Sequence, residues 1–320
     1  MSEQRVVDSG WIDANITGIA IADQRPMSAE VAEMRRLLKG WAEAFSSVRP
    51  DVHSADLVVS SRGLLHDEAH SFLRAMKDGS VTTDDTGHFT VSCTRPKPAG
   101  GRYSLLSKSG TGVALNLEYV IQAGATAELA REHGWPSSEL DFERGEFDAL
   151  GYGPDGRVLL VMEAKCRARG SDSVEKLLRE WLRLSEEGAA GAATNGGRKY
   201  AELLRMCESG PVIVWLVAAN LRWPFEATRD DVRIRLRPLT ALPTYTALSR
   251  GPEESGRAVL WVKPHDPTLH RPETQGASGQ CSWFCTDSAQ WSMGVREVSG
   301  SQSVFALCDR HRRRVEAVYG

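Results

Sequence analysis

Asp148, Glu163 and Lys165 are the residues of this chain whose types and spacing can do chemistry. They stand in the runs Gly145-Glu146-Phe147-Asp148 and Val161-Met162-Glu163-Ala164-Lys165. Side chains alternate along a strand, so on a strand Glu163 and Lys165 share a face. Between the runs, Gly153-Pro154-Asp155-Gly156 has the composition of a tight turn. A two-residue loop at Pro154-Asp155 pairs Gly153 with Gly156. The same register puts Asp148 opposite Val161, diagonal to Glu163 and on its face. Two carboxylates and an ammonium then converge on one patch of sheet. Carboxylates that close raise each other's pKa unless a cation intervenes. A hard divalent ion such as Mg²⁺ suits these oxygen ligands. It polarises a phosphoryl oxygen and acidifies a bound water, which Lys165 can orient. The competing reading is a solvated strand edge whose charges merely face water. The apolar run 158–162 argues against it, because charges on a central strand need partners.

Several elements must position these residues. Residues 113–133 read as a helix with Val113, Leu117, Val120 and Ile121 on one face, stopped by Gly134 and Trp135-Pro136. Residues 146–152 and 157–165 read as two strands. Asp172-Ser173-Val174-Glu175 matches a capping box at the start of a helix over 173–187. Its apolar stripe is Val174, Leu177, Leu178, Trp181 and Leu184. The Gly/Ala-rich residues 188–197 read as a flexible loop and 198–207 as a short helix. The apolar run 211–219 reads as a strand buried on both faces. A strand, a helical crossover and a strand imply parallel pairing of the outer two. Upstream, 11–22 reads as one or two strands, 28–45 as a helix capped by Ser28, 64–76 as a second helix and 89–93 as a short strand. Pro96-Lys97-Pro98-Ala99-Gly100-Gly101 breaks the pattern as a subdomain boundary would.

Asp148 followed across a hairpin by Glu163-Ala164-Lys165 resembles the Asp…Glu-x-Lys motif of PD-(D/E)xK nucleases, the restriction-endonuclease-like superfamily. The order helix, hairpin, helix, strand resembles that family's core over about a third of the chain. The resemblance implies an α/β fold with a mixed central sheet flanked by helices, and a metal-dependent endonuclease that hydrolyses phosphodiester bonds, DNA ahead of RNA. It implies that Asp148 and Glu163 bind Mg²⁺ or Mn²⁺ with help from the Ala164 carbonyl. Lys165 would serve the attacking water, and Glu118, on the first helix, would support the metal or its water. Phe147 stands where the family's motif often has Pro. Glu146 shares the face of Asp148 and is an alternative or second ligand. A solvated helix face is the bland reading of Glu118.

Cys281-x3-Cys285 and, 22 residues on, Cys308-x2-His311 place four borderline ligands in two pairs, as tetrahedral Zn²⁺ requires. The second pair falls where a terminal helix over 309–319 would begin. The arrangement resembles a treble-clef zinc finger, with a first knuckle wider than the usual C-x2-C. Such a closed site is structural and would staple a segment too short to build its own core. Reduced cysteines beside a surface His are the alternative. Residues 232–237 alternate Val-Arg-Ile-Arg-Leu-Arg, which puts Arg233, Arg235 and Arg237 on one strand face. Together with Arg312 and Arg313 beside His311 they are candidates for phosphate contact, or a solvated basic face. His66-x3-His70 places two His on one helical face, and with no third partner visible it reads as surface.

The 320 residues divide into an N-terminal α/β region of unknown role (1–104), the nuclease-like core (105–237), a linker or irregular segment with one strand at 258–263 (238–279) and the Cys3His zinc module (280–320). Hydrophobic residues at 41% and charged residues at 25% are ordinary for a soluble globular chain. No apolar run is long enough to span a membrane and no secretion signal opens the chain, so a cytoplasmic location with no membrane partner is expected. The net charge of −3 neither announces nor excludes nucleic acid as the partner. Homodimer formation is open. The alternative function is a catalytically inactive nuclease fold that binds nucleic acid or a protein, with the zinc module in recognition.

Overall fold

The computed structural model describes residues 6–18, 28–49, 51–52, 57–59, 63–97, 101–188, 193–219, 221–249, 258–265, 288–296, 302–309 and 311–313. Two compact units divide the chain. One comprises Met1–Gly151 and Leu160–Thr244, the other Tyr152–Leu159 and Tyr245–Gly320.

The first unit opens with helices α1 (Ser9–Ile12), continued by a π-helical turn over Asp13–Thr17, and α2 (Ala29–Ser47). Strand β1 (Leu57–Val58), helix α3 (His66–Lys77), and strands β2 (Val81–Thr83), β3 (His88–Val91), β4 (Tyr103–Ser104), β5 (Leu106–Ser109) and β6 (Gly112–Leu115) follow. Helix α4 (Leu117–Glu132) leads into β7 (Leu140–Arg144), β8 (Phe147–Tyr152) and β9 (Val158–Lys165). Helices α5 (Val174–Glu187) and α6 (Asn195–Met206) precede β10 (Val212–Ala218), β11 (Leu221–Asp230) and β12 (Arg233–Pro238). The six-stranded sheet has the order β12-β11-β10-β9-β8-β7. It is mixed: β9 and β10 are parallel, and β10–β11, β11–β12 and β7–β8 are antiparallel. Helices α4 and α5 both pack on β10, whose seven residues are all buried. This is an α/β fold with a mixed central sheet flanked by helices, and the parallel β9–β10 pair is the one the strand–crossover–strand pattern requires.

Local chemistry explains several boundaries. Ser28 Oγ accepts from the Val31 N–H at 3.2 Å and starts α2, whose buried Val31, Met34, Leu38, Trp41 and Phe45 repeat at helical spacing. The Leu65 N–H donates to Glu68 Oε2 at 2.9 Å and satisfies an orphan donor at the start of α3. Helix α4 is buried on most of its circumference, so it is an interior helix and not a surface one. An aromatic cluster anchors it: Phe89 of β3 lies 5.6 Å from Tyr119 and 6.0 Å from Phe142 of β7, and Tyr103 lies 5.0 Å from Phe142. Each such pair contributes about 0.5–1.5 kcal/mol beyond its burial. The N-terminal strands thereby hold the start of α4 in place.

The structure corrects five local expectations. The segment expected as strand over 11–22 is helical through Thr17, because Asp8 accepts from the Trp11 N–H at 2.7 Å and caps α1; residues 19–22 lie outside the described ones. The helix expected from residue 113 begins at Leu117. Val113 and Leu115 alternate inward on β6, a period-two pattern too short to separate from helical spacing by sequence. No capping box forms at Asp172 and Glu175. Ser173 is the cap, accepting from the Lys176 N–H at 3.2 Å, while Asp172 takes a left-handed φ of 50°. The loop expected through 197 ends sooner, because Thr194 accepts from the Gly197 N–H at 3.0 Å and starts α6 at Asn195. Finally, the hairpin turn is one residue longer than Gly-Pro-Asp-Gly suggests. The Gly153 N–H donates to Arg157 O at 2.8 Å, and the Gly156 N–H to Gly153 O at 2.9 Å. Gly156 sits at φ 78°, the left-handed position that closes a three-residue loop. The register that set Asp148 opposite Val161 therefore fails at the turn.

In the second unit a short helix, α7 (Tyr245–Ser249), precedes an antiparallel sheet of β13 (Ala258–Pro264), β14 (Trp291–Arg296) and β15 (Gln302–Leu307). Met293 and Leu307 form its buried centre, packed by Val262, Trp291 and Phe305. Asp309 and residues 311–313 are helical, with the Arg312 N–H donating to Cys308 O at 3.0 Å.

Candidate active site

Glu118 projects from the first turn of α4, Asp148 from β8, and Glu163 and Lys165 from β9. One carboxylate oxygen from each of Glu118, Asp148 and Glu163 lies within 4.8 Å of the others. Glu163 is fully buried and Asp148 is 8% exposed. Lys165 Nζ lies 2.9 Å from Glu163 Oε1 and 3.0 Å from Glu118 Oε1, which confirms that Glu163 and Lys165 share a face. Asp148 Oδ2 accepts from the Ala164 N–H at 2.6 Å. That bond carries Asp148 across to β9 despite the longer turn. Glu146 does not join the trio. Its carboxylate pairs with Arg198 at 3.2 Å, and its carbonyl accepts from Lys199.

Lys199 is the site residue that sequence reasoning missed. It lies on α6, is 6% exposed, and its Nζ stands 2.7 Å from Glu163 Oε2. The same ammonium lies 5.4 Å from the centre of the Phe147 ring. A signal existed: Lys199, Tyr200, Leu203, Leu204 and Met206 share the inward stripe of α6, so a lysine occupies a core position and must have a buried anion as partner.

The charges do not balance. Three carboxylates face two ammoniums in a buried setting. Burial first, and then the Glu163 carboxylate, push the Asp148 carboxyl well above the ordinary carboxylate range, although Lys199 and the Ala164 N–H pull the other way. Burial likewise lifts Glu118 against the pull of Lys165. For Lys165, burial disfavours the ammonium, but Glu163 and Glu118 outweigh it and hold its pKa above the usual lysine value. Lys165 and Lys199 between them engage both oxygens of Glu163, at 2.9 and 2.7 Å. A cation among the three oxygens would relieve the excess charge. Beside the trio, a cleft of about 570 Å³ is lined by Val58, Leu115, Glu118, Tyr119, Glu143 and Cys166.

The other candidates separate into groups. Arg233, Arg235 and Arg237 alternate along β12 with buried Ile234 and Leu236. Arg235 pairs with Asp230, and Arg237 with Glu226 at 2.9 Å. Arg312 stacks 4.4 Å over the Trp291 ring, and Arg313 pairs with Asp309 at 2.6 Å. Cys308 Sγ and His311 Nδ1 lie 3.2 Å apart and are buried, close to the separation of two ligands on one tetrahedral ion. Cys281 and Cys285 lie outside the described residues. Among the described residues no helix is long and apolar enough to cross a membrane. No family model, curated protein or solved structure matches the chain.

Proposed function

We infer that the chain is a metal-dependent endonuclease that hydrolyses phosphodiester bonds, with a restriction-endonuclease-like, PD-(D/E)xK core and with DNA, ahead of RNA, as its proposed substrate. The observation that carries this reading is the trio Glu118, Asp148 and Glu163, drawn from three elements to within 4.8 Å, with Lys165 against two of them. The order of α4, the β7–β8–β9 meander, α5 and the parallel β10 supports it. The donor set fits Mg²⁺ or Mn²⁺: three hard oxygens within 4.8 Å of one another and three carboxylates against two ammoniums. Bound there, such an ion supplies Lewis acidity to a phosphoryl oxygen and lowers the pKa of a water. Asp148 and Glu163 hold it, Glu118 completes the oxygen set, and the Ala164 N–H fixes the Asp148 rotamer. Lys165 offsets negative charge developing on the phosphoryl group or orients the attacking water. An acidic cleft repels phosphate unless a cation intervenes, so substrate binding and metal binding are coupled in this arrangement.

One observation favours the inactive, binding-only alternative. Lys199 at 2.7 Å and Lys165 at 2.9 Å already engage both oxygens of Glu163, and two lysines can neutralise a degenerate site without metal. The Cys308–His311 pair supports a structural Zn²⁺ in the C-terminal unit, with Cys281 and Cys285 as the proposed remaining ligands. The test is cleavage of plasmid DNA, single-stranded DNA and RNA with Mg²⁺ or Mn²⁺ against EDTA. Cutting lost in both Asp148→Ala and Lys165→Ala upholds the enzyme reading. Neither cutting nor metal binding that depends on Asp148 moves the conclusion to the binding protein.

A further inference from the structure

His66 and His70 open α3 at a spacing of four, so both rings stand on one helix face, with centroids 5.8 Å apart and planes tilted by 32°. The partner the sequence did not reveal comes from α2. Glu30 Oε2 lies 3.3 Å from His66 Nδ1, and Glu30 Oε1 lies 3.8 Å from His70 Nδ1. One ligand atom from each of the three residues lies within 4.8 Å of the others. Ligands at about 2.0–2.2 Å around a tetrahedral ion sit about 3.3–3.5 Å from one another; Glu30 and His66, at 3.3 Å, already stand at that separation, and His70, at 3.8 Å from Glu30, must draw in to close the set. His66 Nδ1 is buried and, despite its nearness to Glu30, takes no aligned hydrogen bond among the described residues. Its other nitrogen, Nε2, lies 3.9 Å from Asp67 Oδ1, too far for a hydrogen bond.

We propose that Glu30, His66 and His70 form a second metal site that takes a borderline divalent ion, Zn²⁺ in type, and clamps the start of α2 to the start of α3. Two imidazoles and one carboxylate select for such an ion and against Mg²⁺, which prefers an all-oxygen shell. The simple alternative is a carboxylate that accepts from the ring N–H groups, which needs no ion; a bound ion would instead take the ring nitrogen lone pairs together with the carboxylate. Three protein ligands leave a fourth position for water. The site is independent of the carboxylate trio and of its proposed activity.

The test uses the full chain stripped by chelator and titrated with Co²⁺ in excess Mg²⁺, which occupies all-oxygen sites. Visible absorption and calorimetry report ligand type and stoichiometry. Wild type is expected to bind one Co²⁺ without the thiolate charge-transfer band that marks the cysteine site. His70→Gln, at a half-exposed position where the fold is not at stake, is expected to lose that ion or weaken it by at least about tenfold. Glu30→Gln is expected to weaken it similarly, and Asp148→Asn to leave it unchanged. Unchanged stoichiometry and affinity in His70→Gln would overturn the proposal, as would a wild type whose Co²⁺ shows only thiolate-bound spectra.

Discussion

Neutralising Asp148 tests whether the carboxylate trio is a metal site held under electrostatic stress. The folded state lifts the Asp148 carboxyl well above its ordinary 3.8, by burial first and by Glu163 second. A carboxyl whose folded pKa is raised gives a stability contribution that is complete below the unfolded pKa and is lost as pH rises through the folded pKa. At pH 7 without metal, Asp148 therefore destabilises the fold. Asp148→Asn removes the charge and keeps an oxygen to accept from the Ala164 N–H, now at 2.6 Å from Oδ2. In EDTA at pH 7 the variant is expected to be more stable than wild type by about 1–3 kcal/mol. For a unit of this size that is about 2–4 °C in Tm per kcal/mol. The difference should close as pH falls towards 4. Mg²⁺ at a hundred times its Kd should stabilise wild type by about 2.7 kcal/mol and leave the variant unmoved, which closes or reverses the gap between them. Thermal denaturation from pH 4 to 8, in EDTA and in Mg²⁺, reads both effects. An Asn variant less stable than wild type in EDTA at pH 7 would refute the stress argument. Equal stabilisation of both proteins by Mg²⁺ would refute the metal site.

Lys199→Met strands Glu163 Oε2 and should cost about 3–5 kcal/mol in urea denaturation, most of it recovered when Glu163→Gln is added; no recovery in the double variant would show that Lys199 acts through packing alone. Gly151→Ala would place a Cβ 2.5 Å from Trp135 Cζ3, so a loss of about 1–3 kcal/mol is expected by the same method. If the β12 arginines contact phosphate, removing all three would lower the salt slope of nucleic-acid binding by nearly three. The ion pairs of Arg235 and Arg237 lead us to expect a change of only about one, measured by titration across ionic strength.

The local pattern of the chain determined much of this protein without its tertiary structure. Ser28 and the stripe from Val31 to Phe45 specify α2, and the stripe from Val174 to Leu184 specifies α5, because helical periodicity and capping are written within a few residues. The unbroken apolar run specifies β10 as a doubly buried strand. Glu163 and Lys165 were legible as a pair because alternation on one strand fixes their common face. Short elements were less legible: β6 before α4 and the first turn of α6 each turn on a few residues whose pattern fits two periods. Tertiary structure alone decided which distant groups meet. Lys199 reaches Glu163 from 36 residues away, and Glu30 reaches His66 and His70 across a helix pair. The stripe of α6 marks Lys199 as buried, but nothing local names the partner in either meeting, because burial and Coulomb energy depend on distance through space and not on separation along the chain.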